Sequence, residues 1–429
     1  MRTTRTLGSL LLGLLLISAC SRGAAPAAPP PATPTPEPTA TLIPTATSAP
    51  TATVIPTATP ALDALAPTPT TPPENTPNET QAAALFFLEY TEQQTAIKRL
   101  GSDGSITPIA ENLGTMIDFV VSPADSSLAI LAYNTTDFQI YRAGPAGENP
   151  TIIANGLLRS IVFDPTGEQL LFAVDLSDGQ AGSTTLTPGI WSIPAAGGEP
   201  TQILANREPE TASDGQITPG INYAPVAYAP DGQRLLVITS PNFGPDAPAG
   251  DIGVVGLSIL EADGTLRELL EPGGDDPICV LAAWSADGNE ILCSSTFPLG
   301  PETPALFSIN PENGETKALI ANQAGNASVS VANFRRDGET TSVVVITSTD
   351  PAGSPTVTIE QYTNDAEQRQ VLTELPGRPD NSIVVWSPDG TTLFYSGNFE
   401  QPGLYRQVLP SGESSRLTDL PIGRLRFGK

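Results

Sequence analysis

Ser387-Pro388-Asp389-Gly390 lies between two apolar runs, Ile383–Trp386 and Leu393–Tyr395. Five other stretches carry the same turn in weaker form: Ser122-Pro-Ala-Asp125, Asp164-Pro-Thr-Gly167, Ala229-Pro-Asp-Gly232, Ser285-Ala-Asp-Gly288 and Arg335-Arg-Asp-Gly338. Proline in the second place favours a type I turn, and glycine in the fourth place tolerates the positive φ needed to rejoin a strand. Each copy therefore predicts a β-hairpin, with Asp125 taking the positive-φ place in the first copy.

The spacing of these turns indicates a repeat fold. Their fourth residues, at positions 125, 167, 232, 288, 338 and 390, are separated by 42 to 65 residues. A four-stranded propeller blade takes about 40–45 residues, so the surplus is assigned to loops. Each interval also holds two further strand-like runs, such as Gln139–Arg142 and Thr151–Ile153. We predict an all-β chain with a single β-propeller, whose blades contain strands a, b, c and d from the axis outwards.

The two ends of the repeat region complement each other. Residues 85–109 hold three strand-like runs, which we assign to strands b, c and d of a blade without a strand a. Residues 422–427 form one such run with no partner after it, which we assign to the missing strand a. We therefore predict a blade closed by N- and C-terminal strands, which removes open sheet edges. Six complete units plus this blade give seven four-stranded blades; a ring of six with frayed ends is the alternative.

The turns resemble the WD40-like propeller repeats of the TolB family. In that family, a Ser-Pro-Asp-Gly turn precedes a short apolar strand. The best match is Ser387–Gly390 with Leu393–Tyr395, followed by Gly403–Tyr405 and Arg416–Thr418. The resemblance covers about residues 85–427 and implies the fold, but the matching residues are structural and imply no particular function.

The N-terminus predicts export and membrane attachment. Arg2 and Arg5 precede the apolar run Leu7–Ile17, which is typical of a secretory signal. Small residues before Cys20 resemble the bacterial lipoprotein cleavage box, which implies lipidation of Cys20. We therefore predict a signal peptide over residues 1–19 and an extracytoplasmic protein, lipid-anchored to the bacterial membrane at the cell surface or in the periplasm.

Between the anchor and the propeller, the composition changes sharply. Residues 23–80 are almost entirely Pro, Thr, Ala and Ser. Such a segment cannot bury a core and stays extended. We assign residues 20–83 to the lipidated cysteine and a disordered linker, and residues 84–429 to the propeller.

Charge and residue types limit the possible functions. The chain has 46 acidic and 20 basic residues, a formal net charge of −26, and no histidine. Its negative field disfavours nucleic acid as a partner. The lack of histidine excludes Ser-His-Asp catalysis and histidine-bound metals. No phosphate-binding loop or marked carboxylate pair is visible, so we predict no enzyme activity, no catalytic residue, no cofactor and no metal site.

Two cysteines remain besides Cys20. Cys279 and Cys293 flank the Ser285–Gly288 turn on strands predicted to pair. In an oxidising compartment they are a possible disulfide, but cross-strand geometry is often unsuitable for one. The alternative is a pair of small buried thiols.

Loop lengths indicate a binding face. The a–b and c–d turns are short, whereas the b–c and d–a connections are long and emerge on one face of a propeller. The candidate binding residues on that face are Phe243, Phe297, Phe399, Asp175, Asp246, Asp275, Asp276 and Glu302. Exposed aromatics among acidic groups fit a protein or carbohydrate partner. The alternative is that each phenylalanine folds down to hold its own loop.

We combine these observations into one prediction with two alternatives. The first is a monomeric, non-catalytic lipoprotein that binds or scaffolds an envelope or extracellular protein through its long-loop face. The alternative is a lipoprotein that binds a carbohydrate or peptide for uptake or sensing. The second alternative is a carboxylate-based hydrolase or lyase.

Overall fold

The structure is a computed structural model that describes residues 83–428, with gaps at 93, 136, 175–185, 214, 243–254, 272–277, 286, 295–303, 305, 321–328, 338–339, 349–355, 364–367 and 410–411. The chain divides into two units, Met1–Glu74 and Asn75–Lys429, and the described residues belong to the second. The predicted signal peptide, Cys20 and the linker lie outside them. Nowhere in the described ranges is there a helix with the length and apolar character of a membrane span.

Every regular element of the described residues is a β-strand. The closing blade begins with β1 (Leu85–Tyr90), β2 (Thr95–Leu100) and β3 (Ile106–Glu111). Blade 1 contains β4 (Thr115–Val121), β5 (Leu128–Asn134), β6 (Asp137–Ala143) and β7 (Thr151–Gly156). Blade 2 contains β8 (Leu158–Phe163), β9 (Gln169–Val174), β10 (Gly189–Pro194) and β11 (Thr201–Ala205). A hairpin of β12 (Glu210–Thr211) and β13 (Ile217–Thr218) follows in the long connection to blade 3.

The second half of the chain continues the pattern. Blade 3 contains β14 (Gly220–Tyr228), β15 (Leu235–Asn242), β16 (Gly256–Leu260) and β17 (Leu266–Leu270). Blade 4 contains β18 (Leu281–Trp284), β19 (Ile291–Ser294), β20 (Leu306–Ile309) and β21 (Thr316–Ile320). Blades 5 and 6 contain β22 (Val329–Asp337), β23 (Thr340–Ser348), β24 (Thr356–Thr363), β25 (Gln368–Trp386), β26 (Thr392–Phe399), β27 (Tyr405–Val408) and β28 (Ser414–Arg416). The last strand is β29 (Ile422–Phe427).

The prediction of an all-β propeller with four-stranded blades is confirmed. In the described chain the main sheets number six: five with four strands and one with seven. In the seven-stranded sheet, residues 368–376 of β25 pair with β24, and residues 377–386 pair with β26. This sheet therefore holds blades 5 and 6, which share β25. The inner strands form a ring around the axis. Each contacts the next in the order β29, β4, β8, β14, β18, β22, β25, and β25 contacts β29.

The ring closes as predicted from the two ends of the repeat region. The closing blade has the strand order β29-β1-β2-β3, so the last strand of the chain is its inner strand. Leu85 pairs with Phe427, and Leu88 pairs with Arg424, in antiparallel register. Since β29 also contacts β4 and β25, this pairing joins the first and last blades of the ring.

The blades are held together by apolar clusters between neighbouring sheets. One cluster joins Leu236 and Ile259 of blade 3 to Trp284 and Phe307 of blade 4. Similar clusters join the closing blade to blade 1, blade 1 to blade 2, blade 2 to blade 3 and blade 6 to the closing blade. Burial of both faces explains why strand b of most blades is a continuous apolar run rather than an alternating one.

The repeated turn has the predicted geometry in four copies. Gly167, Gly232, Gly288 and Gly390 all have φ between 68° and 73°. In the first copy the prediction is wrong by one place, because Ser126 rather than Asp125 has the positive φ, at 60°. The physical reason is that this turn is one residue longer: the Ser126 amide donates to the Ser122 carbonyl four residues back, whereas each glycine amide of the other copies donates to a carbonyl three residues back. Gly338 of the fifth copy lies outside the described residues.

A disulfide joins Cys279 and Cys293, with an Sγ–Sγ distance of 2.07 Å. Both residues are fully buried, and the adjacent backbone is paired through a 3.0 Å hydrogen bond from the Val280 amide to the Ser294 carbonyl. Of the two alternatives left open by the sequence, the structure has the disulfide, which ties the start of inner strand β18 to β19.

The disulfide gives a stability prediction. The bond closes a loop with a sequence separation of 14 residues. We expect Cys279→Ala/Cys293→Ala to lower the free energy of unfolding by about 3 kcal/mol, because the unfolded chain loses this constraint. Urea unfolding followed by circular dichroism measures the change, and reductant should destabilise the wild type but leave the variant unaffected. Equal stability of the two proteins without reductant would contradict the prediction.

Asp125 gives a second prediction, on pH. Burial acts to raise its pKa, but hydrogen bonds from Ser127 and Ser122 and the charge of Arg142 outweigh burial and hold the pKa at about 2. A carboxyl whose pKa is depressed by folding stabilises the protein above its unfolded pKa and loses that effect as pH falls through the folded pKa. We therefore expect Asp125→Asn to lower the melting temperature at pH 5 and to match the wild type near pH 2. A difference that persists unchanged at pH 2 would contradict this assignment.

Candidate functional site in the central channel

The inner strands surround a cavity of about 1140 Å³ along the propeller axis. Its lining runs from Leu281 and Pro421, where inner strands begin on the long-loop face, to Tyr228 and Ser285 at the short a–b turns. A cavity of this size exceeds the ~300–1,000 Å³ of most small-molecule sites. It is therefore the candidate ligand-binding site of the described molecule.

Bulges in the inner strands shape the wall of this cavity. The register of β4 against β5 shifts between Met116 and Asp118, and that of β8 against β9 shifts between Arg159 and Ile161. In the second bulge, Ser160 takes a positive φ of 41°, which is unusual for a residue with a side chain. Bulges change the direction in which a strand presents its side chains. Here they occur where Asp118 and Ser160 line the cavity.

Three charged side chains meet on one side of the channel. Arg424 Nε lies 3.3 Å from Asp118 Oδ1, and Arg426 Nη2 lies 3.7 Å from the same oxygen. The arginines are two residues apart on β29, so they project from the same face of that strand. Asp118 comes from the neighbouring inner strand, β4.

The remaining contacts hold this cluster in place. Asp118 Oδ1 accepts a hydrogen bond of 2.8 Å from the Phe119 amide. Arg424 Nη1 donates to the Gly423 carbonyl, and Arg426 Nη1 donates to the Leu425 carbonyl, each at 3.0 Å. These bonds orient the guanidinium groups along their own strand. Their pairing with Asp118 is ionic at this distance, so N–H groups remain available to another acceptor.

The channel holds more positive than negative charge. Among the described residues that line it, Asp118 is the one acidic side chain and Arg424 and Arg426 are the basic ones. One carboxylate offsets one guanidinium, so the described wall has one positive charge in excess, although the chain as a whole has −26. A charge in a narrow, low-dielectric opening acts on ligands more strongly than one on an open surface.

The surroundings alter the titration of two of these groups. Burial lowers the pKa of Arg426, while the Asp118 charge opposes that change and the Arg424 charge adds to it. The Arg426 side chain still keeps 42% of its surface accessible. The two facts agree because that surface faces the channel, deep inside the protein, rather than bulk water. The pKa of the Tyr90 phenol is raised, mainly by burial. The Arg424 charge acts to lower this pKa and the Asp118 charge acts to raise it, so Tyr90 is a neutral hydroxyl at pH 7.

The opposite wall of the channel is mainly apolar, with the polar side chains of Tyr228 and Ser285 at its short-turn end. Blades 3 and 4 contribute Val226, Ile238, Trp284 and Leu292 to the lining, together with Leu281, whose side chain is 45% exposed. Val226 and Ile238 pack against the core cluster that contains Trp284. The described cavity therefore has a charged wall from the closing blade and blade 1, and an apolar wall from blades 3 and 4.

Of the predicted binding residues, the structure describes Phe399. The candidate residues outside the described residues are Phe243, Phe297, Asp175, Asp246, Asp275, Asp276 and Glu302. Phe399 follows the alternative that the sequence left open, a phenylalanine that folds down onto the protein. It belongs to β26 and is only 6% exposed, because its ring packs against Tyr395 and Tyr405 at 6.3 and 5.7 Å between ring centroids.

Sequence reasoning missed Asp118, Arg424 and Arg426. Residues 422–427 were correctly predicted as an inner strand, and the alternation of Arg424 and Arg426 within it was the available signal. Alternate residues of a strand lie on the same face, so two arginines two places apart on an inner strand come together beside the axis. Asp118 gave a similar signal, since it is the one charged residue of the otherwise apolar run 116–121. No group of three or more acidic or cysteine side chains in the described ranges is placed to hold a metal ion.

Comparisons with known proteins support the fold. No protein-family model matches the chain, and no curated protein matches it in sequence. Among solved structures, a candidate 6-phosphogluconolactonase of Bacteroides uniformis is 13% identical, with 81% of this chain and all of that chain covered, at a TM-score of 0.50. A prolyl endopeptidase structure is 11% identical at a TM-score of 0.52, but this chain spans only half its length, with 81% of this chain covered. An oligogalacturonate lyase of Vibrio parahaemolyticus is 11% identical, with 79% and 85% covered, at 0.48.

These comparisons define the class as a β-propeller and correct one prediction. We predicted that the chain is not an enzyme, on the ground that it has no histidine and no catalytic motif. Proteins named as enzymes share its fold, so that exclusion is wrong. The physical reason is that catalysis on this scaffold depends on which side chains the inner strands and loops bring together, and those groups need not form a sequence motif. The resemblance to TolB-like repeats stays a prediction.

The charged cluster gives a stability prediction. Asp118→Asn leaves two guanidinium groups close together without their counter-charge. We expect it to lower the free energy of unfolding by about 1–2 kcal/mol, less than for a fully buried pair because the arginines are partly accessible. The double variant Asp118→Asn/Arg426→Gln should recover part of this loss, because it removes the repulsion. Urea unfolding measures all three proteins; a double variant less stable than Asp118→Asn would contradict the assigned pairing.

Proposed function

We propose that this propeller is a carboxylate-based hydrolase that cleaves an ester or lactone in its central channel. The observation that carries the proposal is the cluster of one carboxylate, Asp118, with two guanidinium groups at 3.3 and 3.7 Å on the wall of a large cavity. A base beside fixed positive charge is the arrangement that hydrolysis of an acyl group requires.

The single carboxylate decides between reaction types. Glycoside hydrolysis normally uses two carboxyl groups about 5–10 Å apart. The described lining has one, so it favours acyl hydrolysis, which needs one base and a site for an oxyanion. Two guanidinium groups beside one base fit stabilisation of an oxyanion directly, so we propose hydrolysis rather than the lyase alternative.

The proposed steps balance in atoms and charge. Asp118 accepts a proton as a water oxygen attacks the acyl carbon, and the carbonyl oxygen becomes an oxyanion. Arg424 and Arg426 stabilise this negative charge, which is larger in the transition state than in the substrate. The acyl–oxygen bond then breaks, and protonated Asp118 returns its proton to the leaving alkoxide. The products are an alcohol and a carboxylic acid, which loses its proton to solvent.

Other channel residues assist this reaction in defined ways. Tyr90 lies near Arg424 and Asp118, and its neutral phenol is a hydrogen-bond donor for the leaving oxygen. The carboxylate product is an anion and is held by the same two arginines. The main-chain bonds of Arg424 and Arg426 keep both guanidinium groups oriented before substrate binds, which reduces the reorganisation needed during the reaction.

The names of proteins with the same fold agree with this reaction class. The Bacteroides uniformis protein is named as a candidate lactonase, and a lactonase cleaves an internal ester. At 13% identity the likeness concerns the fold alone, so the proposal rests on Asp118 and the two arginines.

We also propose where this hydrolase acts. The signal-like segment before Cys20 and the Pro- and Thr-rich segment 23–80 support an exported lipoprotein with its propeller held away from the membrane. Labelling of cells with a lipid precursor tests lipid attachment, and Cys20→Ser should remove the label. The substrate would then be an extracytoplasmic ester or lactone.

The hydrolase proposal predicts a large effect at Asp118. We expect Asp118→Asn to lower kcat for ester or lactone hydrolysis by about 10²–10⁴-fold with little change in KM, because the amide cannot accept the proton. A panel of chromogenic esters and lactones, assayed by product release with purified mature protein, measures the rates.

Asp263→Asn is the matched control for this experiment. Asp263 is an exposed aspartate in a tight turn of blade 3, outside the channel lining, so its substitution should leave kcat unchanged. Hydrolysis that persists in Asp118→Asn at the rate of Asp263→Asn would rule out Asp118 as the base. Absence of turnover on the whole panel in the wild type would count against the proposed function.

A further inference from the structure

We infer that the channel binds an amphiphilic organic anion, with its charged end at Arg424 and Arg426 and its apolar body along the wall formed by blades 3 and 4. What this inference says about the substrate rests on the proposed function. The substrate is then an ester or lactone with an apolar acyl part, and the amphiphilic anion is the carboxylate product that its hydrolysis releases. As a statement about binding, it rests on the two walls of the cavity alone.

The charged wall selects an anion. The two arginines lie on the same face of β29, and Asp118 is the single described acidic group beside them. Both arginine side chains keep accessible surface, 44% for Arg424 and 42% for Arg426. A carboxylate that enters the channel therefore meets an uncompensated positive charge and N–H donors, which suits bidentate pairing with arginine.

The facing wall selects an apolar body. Around the axis, β14 and β18 are separated from β29 and β4 by other inner strands on both sides, so the apolar wall faces the charged one across the channel. Leu281 leaves 45% of its surface accessible in this wall, where Val226, Ile238 and Leu292 also contribute. When an apolar part of a ligand packs against these side chains, the ligand and the protein both remove hydrocarbon surface from water.

The same wall disfavours a sugar-like ligand. A polyhydroxylated anion placed at the arginines would turn several hydroxyl groups toward Leu281, Val226 and Ile238, which offer no side-chain hydrogen bonds. Polar groups that lose water without gaining a partner cost free energy. The charged and apolar walls together therefore favour an alkyl or aryl carboxylate over a sugar acid of similar charge.

A calorimetric titration series tests this inference without any turnover. The probes are butanoate, hexanoate, octanoate, gluconate and 1-octanol, each titrated into the mature protein. We expect affinity to rise about two- to fourfold for each methylene added to the carboxylates, as for burial of a CH₂ group. Gluconate and 1-octanol should each bind at least tenfold more weakly than octanoate.

Three variants assign the binding to the two walls. Arg426→Gln should weaken all carboxylates by a similar factor of ten or more and leave 1-octanol unchanged. Leu281→Asn should abolish the increase in affinity with chain length and leave butanoate binding unchanged. Ile152→Asn is the matched control, since Ile152 is a 52% exposed residue on outer strand β7, and it should bind every probe as the wild type does. Circular dichroism checks that each variant is folded.

The outcomes separate this inference from the proposed function. Gluconate binding as tightly as octanoate would overturn the apolar part, and 1-octanol binding as tightly as octanoate would overturn the anionic part. A wild type that binds none of the carboxylates would overturn the inference, whatever its hydrolytic activity. Chain-length-dependent carboxylate binding in a protein that hydrolyses no ester would support the binding inference and count against the hydrolase.

Discussion

Antiparallel pairing of β29 with β1 is the contact on which the rest of this molecule depends. It places residues 422–427 inside a sheet whose other strands lie at the start of the propeller. A closed ring lets each blade pack against two neighbours and leaves only short, protected sheet edges. The same pairing sets β29 beside β4 at the axis. Without it, Arg424 and Arg426 would have no fixed position relative to Asp118.

The channel shows how a site can differ in character from the protein around it. The chain is strongly acidic, yet the described wall of its central cavity carries two arginines and one aspartate. Few of the described residues that line the channel are charged, so three side chains determine the electrostatics of the whole channel. Bulges in β4 and β8 adjust which residues those are. The scaffold is repeated, whereas the residues at the axis are not, and this is why related propellers can hold different chemistry.

Local sequence signals predicted the parts of the fold that depend on local physics. The turns at Asp164, Ala229, Ser285 and Ser387 formed as predicted, because glycine accepts the positive φ of the fourth place and proline, where present, fixes φ in the second. The first turn differed because it is one residue longer, with the Ser126 amide bonded to the Ser122 carbonyl. Phe399 was predicted in a loop and lies in the core, since its burial depends on Tyr395 of its own strand and on Tyr405 of the neighbouring strand β27. Contacts of this kind have no signature in a short stretch of sequence.

By itself, then, the sequence determined the class of fold, the positions of most strands and the composite closing blade, because strand period, turn chemistry and repeat spacing are properties of neighbouring residues. The structure decided between a disulfide and two thiols at Cys279 and Cys293. It also decided what ring closure brings together: Asp118 with Arg424 and Arg426, and a charged wall with an apolar one. These groups come from different strands, and in the channel from opposite ends of the propeller region. Their proximity follows from the ring geometry of the whole domain, which no local pattern contains.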